Sequence, residues 1–292
     1  MQQRYKERFR KVIHYIHQHL DESISLDDLA AVAHFSKYHF QRQFSAIFGL
    51  TPIQYLQQVR LERSAFELAF RAHSICDIAF NSQFQSHEAF SRAFKRTMGQ
   101  SPLQFRQMTP WEKLYHSSLN LSDQNTRLLS MDFTTAEQQV EIIDFPTTNI
   151  ARLSHIGAPA LVMKTVSRFI EWRCAQGNLS PQQTDTYNIL YDDPNNVAAS
   201  DYRFDVACSV KQPISDNDVG VENAVIDGGK CARLKCVGTN DIMAQAIHYL
   251  YGEWLIDNNV ECDDRPLFVK RVTMFPEVAM NQQSFEIYLP IK

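Results

Sequence analysis

The sequence predicts two folds in one chain: an all-α N-terminal domain with two helix–turn–helix motifs joined by a long helix, then an α+β C-terminal domain of two pseudo-symmetric strand–helix–strand halves. Three observations predict it. Residues 36–55, "SKYHFQRQFSAIFGLTPIQY", return 50 positions later as "SHEAFSRAFKRTMGQSPLQF". Beyond position 138, short β-rich segments such as "VEIIDF", "YRFDVACSV" and "FEIYLPI" alternate with the helix-like "TVSRFIEWRCAQ" and "MAQAIHYLYGEWLIDN". That region also repeats: Ala151-Arg152-Leu153 recurs as Ala232-Arg233-Leu234 at an offset of 81, and Glu171-Trp172 recurs as Glu253-Trp254 at 82. At 292 residues the chain has room for two cores. The boundaries are set at 1–107, a polar linker at 108–137, and 138–292.

The first helix is drawn by Phe9, Val12, Ile13, Ile16 and Leu20 on one helical face. Ser25-x-x-Asp28 has capping-box form before the second helix, and Ser74-x-x-Asp77 repeats it 49 positions later. Each unit then reads turn, Ser N-cap (Ser36, Ser86), second helix, Gly C-cap (Gly49, Gly99). Thr51-Pro52 and Ser101-Pro102 suit an N-cap followed by proline at the first helical position. Between the units, Ile53, Leu56, Val59, Leu61, Phe66 and Leu68 mark one helix of about 18 residues and about 27 Å, a strut.

On the second helix of each unit, Phe40, Phe44 and Ile47, and likewise Phe90 and Phe94, fall on the inward face. The outward face offers Lys37, Tyr38, Gln41, Arg42 and Ser45 in the first copy, and His87, Glu88, Ser91, Arg92 and Lys95 in the second. Arg binds guanine bidentately, Gln binds adenine, and a helix start accepts phosphate. Charge agrees: residues 1–110 hold 14 Lys and Arg against 9 Asp and Glu, a net of +5, and residues 111–292 hold 15 against 24, a net of −9. Two reading helices on one strut suit adjacent major-groove segments, so a monomer suffices for DNA binding.

"IAFNSQFQSHEAFSRAFKRTMGQSPLQFR" resembles the signature of the AraC/XylS transcription regulators, over residues ~8–107. The first copy is similar to the Rob/MarA/SoxS branch. The resemblance implies DNA contacts at Tyr38, Gln41 and Arg42 in the first helix, and at His87, Glu88, Ala89 and Arg92 in the second. It implies double-stranded DNA as the partner and leaves RNA polymerase open as a second. His34 and Gln83 stand where the family often has Gly before the turn's aromatic residue, a cost of about 1 kcal/mol each if the backbone there is left-handed.

Residues 138–292 resemble the GyrI-like effector-binding domain, through Tyr191-Asp192-Asp193-Pro194, Gly228-Gly229-Lys230-Cys231-Ala232 and the closing Phe285 to Ile291. The two halves imply a cleft for a small aromatic or apolar effector, lined by Trp172, Trp254 and Phe268 with Glu286 as the acid. Relatives that bind cations carry a Phe-Glu-x-Tyr strand, and the aligned Phe268-Val269-Lys270-Arg271 lacks the acid and the last aromatic. Neutral or anionic aromatics, or a protein partner, are therefore the expected inputs.

No catalytic set emerges. A GyrI-like hydrolase fused to a DNA-binding module is the alternative, but no nucleophile has a base at working spacing, and an enzyme is not expected. His14, His17 and His19 lack a third fixed ligand, so neither metal nor cofactor is expected. Cys231 and Cys236 have the context of core thiols. The six cysteines form no C-x-x-C pair, no apolar run approaches the ~18 residues of a membrane span, and the start of the chain is charged. A cytoplasmic protein with no membrane segment is expected.

Overall fold

The computed structural model describes residues 2–114, 139–194, 196–274, 277–278 and 282–292. Contacts divide the chain into two units on either side of the Met131–Asp132 bond.

The first unit is helical: α1 Gln2–Gln18, α2 Leu26–Val32, α3 Lys37–Phe48, α4 Pro52–Phe70, α5 Ile75–Asn81, α6 His87–Met98 and α7 Pro102–Gln107. The caps explain these boundaries. Ser25 and Asp28 close a reciprocal capping box, and Thr51 with Gln54 and Ser101 with Gln104 close two more in front of the helical prolines. Ser86 accepts from the Ala89 N–H, whereas Ser36 makes no side-chain cap bond. Gly49 and Gly99 end α3 and α6 at φ 70° and 80°, the left-handed conformation that stops a helix with little strain only in glycine.

Phe9 of α1 lies 5.9–6.3 Å, ring to ring, from Phe35, Phe40, Phe44 and Phe48, and this aromatic cluster is the first core. Phe84, Phe90, Phe94 and Phe105 form the second in edge and tilted contacts of 5.3–5.5 Å. The strut α4 is far more buried than its apolar spacing requires, and it buries Arg60, Glu62, Arg63 and Glu67 as well. Arg60 donates to the carbonyls of Leu20 and Glu22. Arg63 donates to Asp21 (2.6 Å) and to the Asn81 carbonyl (3.0 Å). The stretch read as a linker begins later than expected. Trp111 packs against Phe70 (5.7 Å) and Leu114 is buried, so residues up to 114 belong to the helical unit. Positions 115–137 lie outside the described residues.

The second unit is an eight-stranded antiparallel sheet: β1 Glu141–Phe145, β2 Thr148–Ile156, β3 Thr186–Leu190, β4 Arg203–Ser209, β5 Glu222–Ile226, β6 Gly229–Val237, β7 Leu267–Arg271 and β8 Ser284–Pro290. Its order is β1-β6-β8-β7-β3-β4-β2-β5. Each half is richer than strand–helix–strand: two strands, a helix, two strands. The helices are α8 Val162–Ala175 and α9 Asn240–Tyr249, the latter running on through a π turn at Leu250–Trp254. Every strand of the second half starts 81 residues after its counterpart. The offset of 82 at the tryptophan falls on the π turn, which absorbs one extra residue without displacing the strands.

The sheet is curled. Strands β1 and β3 lie four places apart, about 19 Å in a flat sheet, yet the rings of Phe145 and Tyr187 are 6.4 Å apart. Where the β1–β2 and β5–β6 connections meet, the Gly228 N–H donates to the Thr147 hydroxyl, and these residues are also 81 apart. A Cβ on residue 228 would come within 2.7 Å of the Thr147 nitrogen, which is why glycine stands there. One face packs under α8 through Leu153, Phe169, Trp172 and Phe204, and the other gathers Phe145, Tyr187, Phe268 and Tyr288.

Two predictions follow from the helical unit. His34 and Gln83 have φ of 52° and 61°. His34→Gly is expected to raise stability by about 0.5–1 kcal/mol, the relieved strain less the added freedom of the unfolded chain. Gln83→Gly should gain less, since the Gln83 side chain donates to the Asp21 carbonyl. Urea unfolding followed by loss of helical circular dichroism measures both. Burial pushes the Glu62 carboxyl from 4.5 up to about 8. The folded chain therefore holds a proton that the unfolded chain releases, and stability falls as pH rises from about 4.5 through 8 by at most ~1.4 kcal/mol per pH unit. Glu62→Gln should flatten that slope, which unfolding midpoints at pH 5, 7 and 8.5 would show.

Candidate functional site

The recognition-helix candidates are built alike. In α3, the buried Phe40, Phe44 and Phe48 turn Lys37, Tyr38, Gln41 and Arg42 outward, and all four are exposed. In α6, Phe90, Phe94 and Met98 do the same for His87, Glu88, Arg92 and Lys95, with Ala89 and Ser91 half-buried beside them. Tyr38 is 68% exposed, a large aromatic surface given to solvent at a helix start. Lys37 is held by Asp27 of α2 at 2.7 Å, so its charge is already paired. Backbone and Ser86 hydrogen bonds at the start of α6 hold the Glu88 carboxyl below its ordinary range, with His87 and Arg92 adding to the effect. Glu88 is exposed and stands one helical turn before Arg92.

The four residues assigned to one effector cleft do not come together. Trp172 is buried on the helix side of the sheet, its ring 5.7 Å from Phe169. Trp254 is buried in the equivalent place after α9. Phe268 and Glu286 lie on the opposite face, because side chains alternate along β7 and β8. There Phe268 stacks on Tyr288 at 4.9 Å, and Glu286 accepts the Tyr288 hydroxyl at 2.6 Å. Trp172 stands on α8 and Trp254 on the π turn, whereas Phe268 and Glu286 share the strand face turned away from the helices.

That opposite face carries a polar set that sequence reasoning passed over. Arg152 pairs with Glu222, and Arg233 pairs with Glu141. Both partners are 81 apart, so each half lends an arginine to a glutamate of the other. Arg152 also reaches Asp205 at 3.1 Å, and Asp205 accepts the Tyr191 hydroxyl at 2.7 Å. The signal was on view in the repeated Ala-Arg-Leu, which marked the duplication but not the crossed pairs.

The remaining candidates have structural places. His17 is buried in the first unit, and burial beside His14 pushes it down to about 4. His19 turns back to the Tyr15 carbonyl at 2.8 Å. Among the described residues no group of three His, Cys, Asp or Glu side chains is placed to hold a metal. Cys231 and Cys236 are buried, and burial pushes the Cys236 thiol up to about 12. No helix among the described residues is long and apolar enough to cross a membrane.

A family model for a GyrI-like small molecule binding domain matches residues 138–292, and one for a helix-turn-helix domain matches residues 29–108. The chain is similar to the probable transcriptional regulator YgiV of Escherichia coli (strain K12), 30% identical over 158 residues that cover 54% of this chain and 99% of that protein. It is similar to the transcriptional regulator Rob of Salmonella typhimurium (strain LT2), 38% identical over 102 residues, covering 35% of each chain. The HTH-type transcriptional regulator YbfP of Bacillus subtilis (strain 168) is 39% identical over 102 residues, again 35% of each chain. The chain thus spans about a third of Rob and YbfP and nearly all of YgiV. Matched across its second half by the family model and by a relative along that relative's whole length, the chain belongs to the GyrI-like family, and it carries an AraC-type helix–turn–helix domain ahead of that fold.

Proposed function

We propose that this regulator binds DNA as a monomer, with α3 and α6 reading adjacent major-groove segments about 34 Å apart, and that its C-terminal domain modulates that binding. The observation that carries this reading is the matched pair of exposed helix faces fixed by one buried strut. Gln41, Arg42 and Arg92 supply base-edge donors and acceptors, Tyr38 supplies an apolar surface, and Glu88 supplies an acceptor for cytosine. Lys37, Lys95, His87, Ser91 and the backbone near Ala89 serve phosphates. RNA polymerase is a further partner in this reading, and the cytoplasm is its compartment. Names of the relatives support a regulator over a hydrolase. Selection of bound DNA from a random pool tests it: an asymmetric motif of about 20 base pairs is expected, and enrichment of no motif would sink it.

Arg42→Ala and Arg92→Ala should each cost about 1–3 kcal/mol on the selected site and little on random DNA. Equal losses on both would reassign them to phosphates. Lys95→Ala should weaken binding to every sequence and flatten its salt dependence. Lys37→Ala should do so less, because Asp27 already pairs with Lys37, and Asp27→Asn should strengthen binding to random DNA.

For the C-terminal domain, the reading is a neutral or anionic aromatic effector. Glu286, the acid that a cation would need, accepts the Tyr288 hydroxyl and stands opposite Lys270 across the β7–β8 pair. Lipophilic cations should leave the tryptophan fluorescence of the chain unchanged. Micromolar binding of such a cation, lost in Glu286→Gln, would overturn this.

A further inference from the structure

We infer that the groove beside the edge strand β1 is a docking site for this chain's own residues 132–138, which lie outside the described residues and lead into β1, and that Phe133 is the side chain it takes.

The groove has a volume of about 390 Å³ and is lined by Ile142 of β1, Lys230 of β6, Val260 and Ile291, together with the Lys292–Glu261 ion pair. Strand β1 stands at one end of the sheet and pairs with β6 along one side. Ile142 is 56% exposed there and Val260 is half-buried. An edge strand with apolar side chains at its open side is ordinarily covered by a neighbouring segment.

The duplication shows which segment covers this place. At the 81-residue offset Val260 has Leu179 as its counterpart, Ile291 has Val210, and Ile142 has Asn223. In the first half the equivalent place is closed. Leu179 and Val210 are buried, and Ile214 and Val219 pack against the cluster that holds them. Those two residues belong to the stretch that leads into β5, the edge strand at the other end of the sheet. Asn223 of β5 fastens that stretch: its Oδ1 accepts the Ile214 N–H at 2.8 Å, and its Nδ2 donates to the Ile214 carbonyl at 2.9 Å. The edge is thus covered by the residues just ahead of it in the chain.

The stretch ahead of β1 carries the same pattern. Residues 212–221 read "QPISDNDVGV" and residues 131–140 read "MDFTTAEQQV". Phe133 falls on Ile214, Thr134 on Ser215, Glu137 on Asp218 and Val140 on Val221. Phe133 precedes Ile142 by nine residues, as Ile214 precedes Asn223. Where the first half joins a side-chain amide to backbone, the second offers an aromatic ring to an exposed isoleucine, a contact driven by burial of apolar surface. Charge agrees: the segment holds Asp132 and Glu137, and Lys230 stands where the first half has the neutral Asn149. A segment tethered beside its groove acts at an effective concentration on the order of millimolar, which sets the level a peptide from another protein would have to exceed.

The test is hydrogen–deuterium exchange of the full chain, read by mass spectrometry. Amides of residues 132–138 are expected to exchange about tenfold or more slower than in a free peptide of the same sequence. Phe133→Ser and Ile142→Asp should each return them to the free-peptide rate while β6 and β8 keep their protection. Free-peptide exchange in the unaltered chain overturns the inference and leaves the groove to another protein. Protection that survives Phe133→Ser overturns it as well. Should Ile142→Asp also expose β6, Phe133→Ser decides alone, since it leaves every groove residue in place. Protection that fades on dilution together with a dimer assigns the groove to the segment of a second copy and overturns docking within one chain.

Discussion

The helical unit depends on two guanidiniums placed inside its longest helix. Arg60 and Arg63 leave α4 one turn apart and reach backbone that belongs to both halves of the repeat: Leu20 and Glu22 before α2, and Asn81 at the end of α5. Without them those carbonyls would be orphaned where two helices meet. Gln83, from the second turn, grips the same corner through the Asp21 carbonyl. Three side chains thus hold one loop. A buried charge is tolerated only where its hydrogen bonds are met with good geometry, on the order of several kcal/mol being at stake per ion. The spacing of the two outward helix faces is therefore specified by directional bonds, where the apolar cores of Phe9 and Phe94 alone would permit sliding.

The sheet uses ion pairs differently. Arg152–Glu222 and Arg233–Glu141 are half-exposed pairs, worth little individually in water. Their value is in register. Each joins a central-side strand of one half to the edge strand of the other, where a slip of one residue would turn every side chain to the wrong face. With the Thr147–Gly228 contact between the two connections, they pin the curl that brings Phe145 over Tyr187 and Phe268.

Much of this was legible in the sequence because the chain says it twice. Offsets of 49 and 50 located both helix–turn–helix units, and the Ser-x-x-Asp boxes and glycine stops fixed their ends. The 81-residue offset announced the duplicated sheet. What could not be read is where the signal is directional. No periodicity marks Arg60, Glu62 or Arg63 as buried, since charged residues on an amphipathic helix ordinarily face water. Trp172 and Glu286 could not be assigned to opposite faces without strand register, because the parity of each strand decides its facing and the sequence does not number strands. The extra residue before Trp254 was visible as a shift from 81 to 82, yet only the backbone shows it stored as a π turn.

Duplication also indicates where to look for function, since symmetric positions serve the fold that both copies share. In the helices, Phe40 with Phe90, Phe44 with Phe94 and Gly49 with Gly99 are unchanged, while Lys37, Tyr38 and Gln41 become His87, Glu88 and Ser91. Arg42 and Arg92 alone persist on the exposed side of both helices. In the sheet, Ala151 and Ala232, Arg152 and Arg233, and Leu153 and Leu234 hold the two halves together. The symmetry fails on the helix side, where Asn188 has Val269 as its counterpart at the 81-residue offset and Leu190 has Arg271. A fold assembled from equal halves cannot by itself prefer one end of an asymmetric ligand. Arg271, at the end of β7 and in register with Thr186, is a charge that only one half carries, and its side chain is held by Asn188 and Asn240.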